Sequence, residues 1–166
     1  MEWIQNLRRA EARRERSEML QLHREQVGQV KRPAMWRELL ECVRNHIDLQ
    51  RACFGGQLPI TMRVDPGDQA FFVRRSQFPH VTVDCKFLAE KRIEIFSSYR
   101  QTDNADTFKW EEHIDFHVDE LDRVQFQSKN EALIDANEVC LLILKPIQDL
   151  SFQPPSHANP SRHFPA

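Results

Sequence analysis

Glycine is scarce, four in 166 residues, and tyrosine occurs once. So little glycine excludes a collagen-like or glycine-rich low-complexity chain. Long apolar runs are missing too. The longest, Val139 to Leu144, is far short of the ~20 residues that a membrane-spanning helix needs. No apolar leader region follows Met1, and arginines come early, so a cytoplasmic chain with no membrane association is expected. The four cysteines, Cys42, Cys53, Cys85 and Cys140, form no C-x-x-C pair. A zinc knuckle and a thioredoxin-like site are therefore not signalled, and reduced thiols packed as small hydrophobes are expected. Nucleophile-elbow, P-loop, dinucleotide-binding and H-E-x-x-H patterns do not occur, so no motif assigns a catalytic or cofactor-binding residue.

What is present suffices for one core, with 40% hydrophobic residues. The formal net charge is −2, but it is a cancellation. Residues 1–100 carry 18 basic and 13 acidic side chains, and residues 101–166 carry 5 and 12. Such asymmetry suggests docking of the basic part on the acidic part, within one chain or between two.

The pattern divides the chain into three parts. Residues 1–32 read as a charged, Arg-rich helical arm, with eight basic and five acidic residues. Its good helix formers alternate in sign three or four apart, which suits a solvated helix. Residues 33–150 read as the core domain. Pro33 stands as the first-turn proline of a second helix over 34–54. Trp36, Leu40, Val43, Ile47 and Phe54 recur at helical steps, flanked by Leu39, Cys42 and Leu49, and Gly55-Gly56 supplies a stop. His46 reads as a packing histidine. From Ile60 the period becomes two. Strands are expected near 60–64, 70–73, 81–87, 93–99, 108–118 and 124–126, with a turn at Asp65-Pro66-Gly67-Asp68 where Gly67 takes the positive φ. Ser128-x-x-Glu131 resembles a capping box that opens a last helix through Leu133, Ala136, Cys140 and Ile143. Residues 151–166, with four prolines, read as a disordered tail. The expected fold is α+β, an antiparallel sheet of about five strands with helices packed on one face and a long N-terminal helical segment.

Three groups could carry function. His113, Asp115 and His117 share the polar face of one strand, and imidazole and carboxylate are transition-metal ligands. Four residues of strand separate His113 from His117 by about 13 Å, which works against one shared ion. Arg8, Arg9, Arg13, Arg14 and Arg16 could meet a protein partner or the phosphates of a nucleic acid. Arg74, Arg75 and His80 cluster around Phe78-Pro79 and could receive an anion. The leading expectation is a non-enzymatic protein-interaction module that binds a partner or self-associates through its N-terminal helix or open sheet face. A metal-assisted or acid–base enzyme and a nucleic-acid accessory protein are the alternatives.

Overall fold

The computed structural model of the chain describes residues 2–54, 59–88 and 91–161. The helix stop Gly55-Gly56, the turn residues Ala89-Glu90 and residues 162–166 lie outside the described residues. The order is one long helix, seven consecutive strands, a second helix and a short final strand. Helix α1 runs Glu2–Cys53, 52 residues, which is about 78 Å of rod. Strands β1 (Ile60–Val64), β2 (Ala70–Arg75), β3 (His80–Leu88), β4 (Arg92–Arg100), β5 (Thr107–Val118), β6 (Val124–Gln127) and β7 (Leu133–Ile134) pair antiparallel in sequence order. Helix α2 is Ala136–Gln148, and β8 (Asn159–Ser161) returns to pair with β5.

The α+β class with an antiparallel sheet is as expected, but the curled sheet has more strands than about five. The two added strands, β7 and β8, hold two and three residues, too few to establish a period of two. Strand β8 falls in the segment expected to be disordered. There Phe152 stacks 5.7 Å from Trp110 and lies 6.1 Å from Tyr99.

The inner sheet face is apolar because alternate residues of each strand point the same way. Phe71, Val73, Val81, Val83, Cys85, Phe87, Ile93, Ile95, Trp110 and Ile114 are buried on it. Two helices cover this face. Gly28, Arg32, Trp36, Leu39, Leu40, Val43 and Ile47 make the buried stripe of α1, at the steps of three and four that keep residues on one side. Val139, Cys140, Ile143, Leu144 and Ile147 make that of α2. Leu49 and Phe54, read as part of the first stripe, are 65% and 64% exposed.

Three local readings are corrected. Pro33 lies inside α1 rather than at a helix start, so arm and core helix are one rod. Proline interrupts a helix by removing one N–H, yet the stripe from Gly28 to Ile47 stays in phase across it. The cap of α2 is Asp135, whose side chain accepts from Glu138 N at 2.8 Å while Glu138 reaches back to Asp135 N at 2.8 Å. Ser128 to Glu131 is instead a turn, closed by Glu131 N donating to Ser128 O. At the β1–β2 turn the positive φ belongs to Asp68, 52°, a conformation that Asp tolerates better than most residues.

Trp36 joins the helix to this turn. It is 2% exposed, stacks 5.4 Å from Phe87, lies 5.3 Å from Phe71, and donates Nε1–H to Asp68 O at 2.5 Å. Chemical denaturation of Trp36→Ala should show a loss of about 3–5 kcal/mol, as buried aromatic truncations do. Trp36→Phe, which keeps a ring but not the donor, should lose clearly less. Equal losses would remove the ring stacking from this account.

Candidate functional site

Each sequence-derived group has a definite place. On the outer face of β4 and β5, Arg92 lies opposite Asp115 and Glu94 opposite His113. Asp115 is held between two cations or donors: Arg92 Nε is 3.4 Å from one oxygen and His113 Nε2 is 3.7 Å from the other. His117 lies opposite Gln125. Among the described residues, no set of three donor atoms within 4.8 Å of one another includes His113, Asp115 or His117. The side chains of His113 and Asp115 are 34% and 39% exposed, and the strand's outer residues are half-buried or exposed throughout. The row is therefore a half-exposed polar sheet face whose central carboxylate already has partners.

Arg74 is exposed, but Arg75 turns into the protein. It is 4% exposed. Its Nε donates to Pro79 O at 2.9 Å and its Nη1 to Ile147 O at 2.6 Å, near the C-terminus of α2. A cation suits that end of a helix, where carbonyl dipoles converge. Arg75 thus ties β2 to α2 instead of facing an outside anion.

The arginine arm stands free of the sheet. Every residue from Trp3 to Arg24 is exposed. On this helix Arg9, Arg13 and Arg16 follow steps of four and three, as do Glu11, Glu15 and Glu18 on another side. The arm is therefore striped with both charges, and Arg14 Nε pairs internally with Glu18 at 2.9 Å. Its apolar residues remain in water: Trp3, Leu7, Met19, Leu20 and Leu22 are each more than half exposed.

The arm is fixed at its root. Arg32 is buried and meets Glu25 with two bonds, 2.9 and 3.1 Å. His23 reaches Asp122 Oδ1 at 3.0 Å, and Lys31 donates to Asp122 O at 2.6 Å. Gly28 makes room for this arrangement, since a Cβ there would fall 2.6 Å from Arg32 Cζ. The Arg32 hydrogen bond lowers the Glu25 carboxyl below its ordinary 4.5.

A fourth group was not read from the sequence as a site. Cys42 and His46 lie one turn apart on α1, and Cys140 faces them from α2. The three donor atoms lie within 4.8 Å of one another. Cys42 Sγ is 3.9 Å from His46 Nδ1 and 3.8 Å from Asn137 Oδ1. Cys140 is buried, whereas Cys42 and His46 are half-buried. Burial and the adjoining Cys42 thiol push Cys140 up to about 12. Thiol and imidazole are the side chains that hold zinc. The only sequence signal was Cys42-x-x-x-His46 on a predicted helix, and its partner lies far along the chain.

Comparison with protein-family models, curated proteins and solved structures gives no match to this chain.

The Glu25–Arg32 fork makes a pH prediction. A carboxyl lowered by folding adds stability that is complete above its unfolded value, near 4.5, and that is lost as pH falls through its folded value. Denaturation midpoints of wild type and Glu25→Gln should therefore differ most at neutral pH and converge as pH drops below 4. A constant difference across that range would mean that the carboxylate charge contributes nothing.

Proposed function

We propose that this chain is a protein-interaction module that self-associates by antiparallel pairing of the arm of α1 with the arm of a second copy. The observation that carries the reading is the arm's unbroken exposure from Trp3 to Arg24. A helix of this length with no packed face is marginal in water, and its exposed Met19, Leu20 and Leu22 are suited to a helical partner.

The arm's own sequence favours a second copy. Full overlap of two arms, from Trp3 to the root at Gly28, puts the two-fold axis between Glu15 and Arg16. In that register Glu15 of each copy lies level with Arg16 of the other. Ala12, which leaves a shallow depression flanked by Glu15, Arg16, Met19 and His23, faces the long side chain of Met19. Arg13 faces Glu18. An interface of this kind uses one patch twice, as a closed two-fold dimer requires. The setting is taken to be the cytoplasm, where four free cysteines stay reduced.

Charge exchange tests this reading. Sedimentation equilibrium of the full chain should give a dimer. Arg16→Glu and Glu15→Arg should each weaken it by roughly tenfold or more, because both central pairs become repulsive. An equimolar mixture of the two variants should restore dimers. A monomeric wild type, or variants that do not rescue one another, contradicts the proposal. So does a monomer retained on nucleic acid in a salt-dependent way, which would assign the arginines to phosphates.

A further inference from the structure

We propose that Cys42, His46 and Cys140 form a zinc-binding site that joins α1 to α2. The donor types come first. Two thiolates and one imidazole are a zinc set, and three protein ligands leave a fourth position open.

The geometry agrees. Zinc bonds of about 2.3 Å to sulfur and 2.0–2.1 Å to nitrogen, at tetrahedral angles, put sulfur and nitrogen roughly 3.5 Å apart. Cys42 Sγ and His46 Nδ1 are already 3.9 Å apart. All three donor atoms lie within 4.8 Å of one another, so side-chain rotation suffices to gather them. Cys42 and His46 converge because residues four apart share a helix face. His46 Nδ1 now lies 3.1 Å from Cys42 O, a contact that a metal bond would replace.

The surroundings agree as well. Cys140 is fully buried while Cys42 and His46 are half-buried, so an ion can enter from solvent and finish largely enclosed. The Asn137 carbonyl oxygen, 3.8 Å from Cys42 Sγ, borders the fourth position, which a water molecule fills. Binding releases the two thiol protons, and the imidazole keeps one proton on Nε2. No oxidant or reductant is involved. The site is independent of the arm pairing, since none of its residues lies in the arm.

Cobalt(II) is the probe. Reduced full-length protein, stripped with chelator and titrated anaerobically, should take one cobalt per chain. The expected signature is a thiolate-to-cobalt charge-transfer band with the intense d–d bands of a tetrahedral site. Zinc should displace the cobalt and raise the melting temperature. Cys42→Ser and His46→Asn should each weaken binding by more than about 100-fold, since loss of an outer-shell partner alone typically costs 10–100-fold. Cys53→Ser, exposed and remote in the fold, should bind as wild type does. Circular dichroism checks that the variants fold. Should they fail to fold, the band and stoichiometry of wild type and Cys53→Ser decide. Absence of a thiolate band, binding that survives folded Cys42→Ser, or binding lost in Cys53→Ser would overturn the proposal. So would a Cys42–Cys140 disulfide whose reduced form takes up no cobalt.

Discussion

The inner face of the sheet must be kept from water, and one half of one helix does much of that. Strands β1 to β7 present a continuous apolar surface that a meander cannot cover by itself. The second half of α1 and the whole of α2 cover it, with Trp36 closing one end against Phe71, Phe87 and the Asp68 carbonyl. Burial of this kind stabilises by about 25 cal/mol per Å² of apolar surface, so the position of α1 over the sheet is strongly fixed. The helix does not stop where the sheet stops. Its rod continues through Pro33 and leaves the core at Gly28, so a free arm follows from covering the sheet with only half a helix.

The root of the arm controls its direction. Arg32, Gly28 and Glu25 interlock, and Asp122 on the β5–β6 turn receives both His23 and Lys31. These contacts are polar and lie at or near the surface, unlike the apolar seam beyond them. The Cys42–His46–Cys140 cluster lies further along the same rod, where α1 meets α2. The His113–Asp115–His117 row, by contrast, is half-exposed, and its central carboxylate is shared by Arg92 and His113.

The legible parts of the sequence were those with a local period. Val81, Val83, Cys85 and Phe87 alternate, and they form β3. Leu133-Ile134 and Asn159 to Ser161 are strands only because a neighbour pairs with them, and that information is not local. Pro33 and Ser128 misled for the same reason. Each fits a boundary rule, yet the Gly28–Ile47 stripe outweighs the proline, and Asp135-x-x-Glu138 fits the capping box with a buried helix behind it. The Asp/His row was visible as a pattern, and its spacing already argued against one shared ion. The cysteine cluster was not visible, because Cys140 joins Cys42 and His46 only through the packing of α2 on α1.

The central claim is that α1 is one rod whose exposed half pairs antiparallel with a second copy. Electron–electron distance measurements test it most directly, with a single spin label at Gln5→Cys or at Ser17→Cys in a background where the accessible thiols are removed by Cys42→Ser and Cys53→Ser. At a rise of 1.5 Å per residue, antiparallel overlap sets two labels at position 5 about 32 Å apart along the axis, and two at position 17 only about 5 Å. The account predicts a long distance for the first and a short one for the second. Short distances at both positions, or none between chains, would contradict it.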